Sequence, residues 1–181
     1  MKRILTVLAL SVVFTGVFAQ EKKPLLRQVN EICKVERENG DSEVMVFSIP
    51  DNGQEHYYLS VGHLGVGDNI VQFNIDPLFE LFIPLGDTLE EAQAVLDGLK
   101  ELAKKPKGTE METVGNLSLA YPDDQLNEPV KIRVHKLLIE KKLLFSVQRG
   151  ENIRATYIPK SDITAMANGV KFYRKIHPKE K

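Results

Sequence analysis

Residues 82–108 read FIPLGDTLEEAQAVLDGLKELAKKPKG. The stretch predicts the end of a strand, a capped turn and one long amphipathic helix. Thr88 and Glu91 have capping-box spacing, in which the hydroxyl and the carboxylate satisfy free N–H groups of the first turn. Asp87 is an equally good cap one residue earlier. Leu89, Ala92, Val95, Leu96, Leu99, Leu102 and Ala103 recur every three or four residues and so share one face. Glu90 and Glu91 stand near the positive end of the helix dipole, and Lys104 and Lys105 near the negative end. Pro106 and Gly108 end the helix. Gly98 in its interior costs about 1 kcal/mol relative to Ala, and close packing beside a strand is the plain explanation for it.

A fainter copy of this stretch closes the chain. A shift of 75 residues lays Ile83 on Ile158, Pro84 on Pro159, Asp87 on Asp162, Ala92 on Ala167 and Val95 on Val170. The shared Ile-Pro-x-x-Asp has a physical reason. Proline stops a strand by removing a ladder donor, and the aspartate caps a helix three residues later. Asp162 is therefore expected to cap a last helix with Ile163, Met166, Ala167, Val170 and Tyr173 on one face, ended by His177-Pro178.

Strands fill the spaces before both helices. Glu43–Ile49 is followed by Asp51-Asn52-Gly53, a strong hairpin signal because Asn and Gly tolerate positive φ. His56–Leu64 is the partner strand. Asn69–Ile75 reads as a third strand, Asp76-Pro77 as a turn, and Leu78–Ile83 as a fourth strand. Gly108–Gly115 reads as a linker and Asn116–Tyr121 as a strand, with Pro122–Pro129 a polar loop. Val130–Ile139 begins with clean alternation. His135–Phe145 fits strand or helix period, and a hairpin turning near Glu140–Lys142 is the preferred reading. Leu143–Arg149, a turn at Gly150-Glu151-Asn152, and Ile153–Ile158 complete the pattern. Ahead of all of these, Pro24–Glu38 reads as a helix, with Leu25, Leu26, Val29, Ile32 and Cys33 on one face. The fold class expected is α+β. It comprises two pseudo-repeats of a four-stranded antiparallel meander followed by a helix, with an extra N-terminal helix. The first repeat with that helix spans residues 20–108 and the second 109–181, and the two halves are expected to superpose.

Met1–Ala19 reads as a signal peptide. Lys2 and Arg3 precede the apolar run Ile4–Phe14, and Val17-Phe18-Ala19 suits a signal-peptidase site. That run is too short to prefer a membrane-spanning helix. A chain starting at Gln20 has 181 − 19 = 162 residues, enough for a hydrophobic core. It carries 24 − 2 = 22 Lys+Arg against 25 Asp+Glu, a net charge of −3. So small a charge, negative in sign, argues against nucleic-acid binding. Cys33 is the only cysteine, so an exported chain has no internal disulfide. It reads as a small buried hydrophobe.

The motifs of common chemistries are absent from the sequence. His56 and His63 bracket one strand, but positions seven apart point to opposite faces unless Gly62 forms a bulge. No His-Glu-x-x-His, Cys-x-x-Cys or calcium-loop spacing occurs, so no metal or cofactor is expected. Gly62-x-x-Gly65-x-Gly67 lacks the following helix that a phosphate loop needs and reads as a turn or bulge. Asp123-Asp124 reads as a pair of solvated turn formers. Asn116-Leu117-Ser118 matches a glycosylation acceptor. No nucleophile elbow is present.

Lys131, Arg133 and His135 alternate onto one side of a strand, with Lys136, Lys141 and Lys142 near. A solvated or edge-protecting face explains this stripe, and a docking surface for an acidic partner or an anionic polymer is the functional alternative. These three residues are the candidate binding site. The expected function is an exported, non-catalytic binding or adaptor protein of the cell envelope or extracellular space. It would hold a protein partner through a sheet face or loops. Two other readings stay open: an envelope hydrolase with a carboxylate or His site, and a small-ligand carrier with a cavity between sheet and helices.

Overall fold

A computed structural model describes residues 29–35, 44–66, 74–117, 127–137 and 140–178. The proposed signal peptide, Asp123-Asp124 and most of the third predicted strand lie outside them. Among the described residues, eight strands and two helices follow in the order β1 (Asn30–Val35), β2 (Val44–Asp51), β3 (Gln54–Val66), β4 (Asn74–Gly86), α1 (Leu89–Leu102), β5 (Glu110–Asn116), β6 (Asn127–Leu137), β7 (Glu140–Arg149), β8 (Asn152–Pro159) and α2 (Lys160–Ile176).

The strands form one antiparallel sheet in the order of the chain. Its far end curls back until β8 meets the end of β3, with Gly65 opposite Ala155 and Val66 opposite Arg154. This curled half-barrel replaces the two four-stranded repeats expected from the sequence. The 75-residue shift fails at its own best motif. The N-caps are Thr88 and Pro159, 159 − 88 = 71 residues apart. Pro84 lies inside β4, whereas Pro159 ends β8. Asp162 is not a cap but sits inside the first turn of α2, and no side chain caps that helix.

The N-terminal helix is also overturned. Residues 30–35 are a strand paired with β2, and a bulge falls between Glu31 and Cys33. A bulge slips the alternation by one. It thereby places the adjacent Ile32 and Cys33 both against the core, a spacing that imitates a helix face. Residues 24–28 and 36–38 of the same prediction lie outside the described residues. The Asp76-Pro77 turn gives way to the continuous strand β4. Pro77 falls where the β3–β4 register jumps from Gly65 opposite Ile75 to His63 opposite Glu80. An irregular stretch of ladder tolerates a residue that donates no hydrogen bond. The predicted linker 108–115 is mostly β5, residues 127–129 of the predicted loop belong to β6, and Glu140 already begins β7.

Other local readings match. Asn52 (φ 49°) and Gly53 (φ 84°) form the two-residue β2–β3 turn. The capping box of α1 is complete. Glu91 N donates to Thr88 Oγ1 at 3.1 Å, and Glu91 Oε2 accepts from the Asp87 and Thr88 amides at 2.8 and 3.1 Å. Gly62 (φ 81°) sits in a bulge of β3, whose amide donates to the buried Ser60 hydroxyl. Gly98 differs: it is exposed, and an added Cβ meets nothing within 4 Å.

Both helices pack on the same core. Leu89, Ala92, Leu96 and Leu99 of α1 and Ile163, Met166, Ala167 and Val170 of α2 join the inward residues of the sheet in one cluster. Among them are Val130, Ile132 and Val134 of β6 and Leu143, Phe145 and Val147 of β7. A second, smaller cluster of Phe47, Ile49, Tyr58 and Phe82 packs on the other side of β2–β4. Phe47 stacks on Tyr58 and meets Phe82 edge-on. Among the described residues no helix is long and apolar enough to cross a membrane.

Candidate binding face

Strand alternation decides which residues of β6 are available. Val130, Ile132 and Val134 are buried in the main core, so Lys131, Arg133 and His135 must face outward. The structure brings these three together on the open side of the sheet, as the sequence pattern implies. The Lys131 side chain is 61 % exposed and that of Arg133 51 %.

β5 supplies their counter-charges. Glu110 stands opposite Arg133 and Glu112 opposite Lys131. Arg133 Nε donates to Glu110 Oε1, and Lys131 Nζ lies 4.0 Å from Glu112 Oε1. The stripe is therefore balanced by acids, and exposed pairs of this kind contribute at most about 1 kcal/mol each. Sequence reading missed both glutamates by taking their strand for a linker. Their signal was present: Glu110, Glu112 and Val114 alternate with Met111, Thr113 and Gly115.

On the other flank, Leu144 of β7 stands opposite Arg133, and Tyr157 of β8 opposite Leu144. Directly opposed residues share a face. One row thus runs Glu110, Arg133, Leu144, Tyr157 across four strands. Leu144 and Tyr157 are half-buried. The His135 ring meets Tyr157 edge-on at 5.5 Å between centroids. Burial, and then the positive charges of Lys107 and Arg133, hold the His135 imidazole below its ordinary pKa. Burial pushes the Tyr157 phenol up, and Arg133 opposes the shift.

The remaining basic residues do not all join the face. Lys142 lies beside His135 and pairs with Glu140 at 3.5 Å. Lys141 points the other way. Its Nζ donates to the carbonyls of Lys104 and Lys105 at 2.8 and 2.7 Å and so tethers the chain just after α1.

Other titratable groups form separate small sites. Cys33 is half-buried beneath α2, its Sγ 3.7 Å from the Met166 carbonyl oxygen. Burial pushes its thiol up to about 11, which disfavours the nucleophilic thiolate. His56 Nδ1 lies 2.7 Å from Asp87 Oδ1 ahead of α1. The buried Ser60 hydroxyl donates to Glu80 Oε1 at 2.5 Å. A cleft of about 360 Å³ lies between the start of α1 and the end of α2, and the Glu90–Arg174 ion pair (3.0 Å) sits in it. Among the described residues no three metal-ligating side chains gather. Asn116 is fully buried, so the folded chain does not present the acceptor side chain of the glycosylation motif.

No family model, curated protein or solved structure matches this chain.

Proposed function

We propose that the protein is an exported binding or adaptor protein that holds a protein partner on the open face of β5–β8. Lys131, Arg133 and His135 lie within that face, on β6. The observation that supports this reading is the row Glu110–Arg133–Leu144–Tyr157, with both helices on the opposite side of the sheet. Protein interfaces favour arginine and tyrosine around a partly apolar centre and a polar rim. Leu144 and Tyr157 supply the centre, and the paired charges supply the rim. The rim pairs also select: a partner must present complementary charge or leave them unpaired.

The test is co-purification of the tagged protein from its own envelope, with mass spectrometry of what it retains. The wild type is expected to retain a defined protein that the double variant K131E/R133E loses. Identical retention by both chains would remove this face from the function.

A further inference from the structure

The outward face of the last two turns of α2 is not explained by the fold. Ile163, Met166, Ala167 and Val170 are the buried face of that helix. At about 100° per residue, Phe172 and Ile176 project from the opposite side. Phe172 is 62 % and Ile176 53 % exposed, the two most exposed large hydrophobic residues among those described. They stand one turn apart and therefore adjoin on the helix surface.

Their setting is cationic. Lys171 and Lys175, both exposed, run beside them along the helix. From Ile163 to Pro178 the sequence has no aspartate or glutamate, against Lys171, Arg174 and Lys175. Arg174 is turned aside to Glu90 of α1, while Lys171 and Lys175, which also line the cleft between α1 and α2, border the apolar pair on one side. Apolar side chains bordered by lysines on a convex helix surface suit the headgroup boundary of an anionic bilayer. The apolar groups enter the acyl region while the lysines stay at the phosphates. An acidic protein groove would satisfy the charge equally. The bilayer is favoured because both apolar side chains lie outside the lining of the α1–α2 cleft, exposed on the convex side of the helix.

We propose that the C-terminal half of α2 is a membrane-surface anchor. It docks on anionic phospholipid through Phe172 and Ile176, with Lys171 and Lys175 on the headgroups. This inference does not depend on the open sheet face, which lies on other elements.

The chain contains no tryptophan, so F172W places a single reporter on the proposed contact. Vesicles of phosphatidylglycerol are expected to shift its emission to the blue and to quench it when the acyl chains are brominated. Phosphatidylcholine vesicles should do neither. K171E/K175E in the F172W background should weaken the response at least about 25-fold, from about fivefold per lysine lost. Raising the salt should weaken it as well. The reporter reads this helix alone, so any binding through the N-terminal apolar run does not move it. Far-UV circular dichroism checks that each variant is folded, and I176S in the F172W background gives an independent loss-of-contact variant. Emission that ignores phosphatidylglycerol, or that responds equally to phosphatidylcholine, overturns the proposal. So does emission that moves only when an acidic protein partner is added.

Discussion

Gly98 and Gly169 both interrupt a helix, yet their surroundings differ. At Gly98 an added methyl group enters open space, so G98A is expected to stabilise the protein by about 1 kcal/mol through helix propensity. At Gly169 the same methyl would lie 2.7 Å from Cβ and Sγ of Cys33. Overpacking of that kind costs about 1–3 kcal/mol and outweighs the propensity gain. G169A should therefore lower the urea midpoint while G98A raises it; a rise in both would mean that α2 does not rest on β1 as described. Helix periodicity marks each glycine as a cost but does not say what lies across from it. His135 is a second residue with a measurable signature. Because its folded pKa is depressed, the unfolded chain takes up the proton first as pH falls through 6.5. The neutral ring's contribution is present above that value and is lost below it. Between about pH 7.5 and about pH 5.5 the wild type should lose more stability than H135Q, by a small margin suited to a half-exposed ring. Equal losses would contradict the burial assigned to this imidazole.

At the scale of elements, α1 was legible because its signals are local. The cap, the apolar stripe and the terminal charges all lie within the helix itself. T88A removes the hydroxyl that accepts from Glu91 N and should cost about 1 kcal/mol in a denaturant titration; an unchanged midpoint would show that Asp87 takes over as the cap. Strands were legible where alternation is unbroken, as in β6 and the β2–β3 hairpin. They were misread where a bulge breaks it. The slip between Glu31 and Cys33 made β1 look helical, and the irregular pairing of β4 hid Pro77 inside a strand. The candidate site shows a different limit, since β5 pairs with β6 without a bulge and still reads as a linker. Lys131, Arg133 and His135 come from one regular strand, so their common outward side was legible. Their partners Glu110 and Glu112 come from a strand read as a linker, and Leu144 and Tyr157 join them only through cross-strand register.

For the whole molecule, the sequence describes elements one at a time, whereas the sheet is made by pairings between distant segments. The contact of β3 with β8 joins residues 65–66 to 154–155, and no local period encodes it. That closure is why two similar-looking halves become one curled sheet with both helices on a shared core. It is also what leaves β5–β8 with one face filled and one face open. The proposed function puts the binding face on that open side. In-cell cross-linking through a photoreactive residue placed at Leu144, with the same residue at the exposed Ala94 of α1 as control, tests it most directly. One discrete protein adduct is expected from position 144, lost when R133E is added, and none from position 94. No adduct from position 144, or the same adducts from both positions, would contradict it.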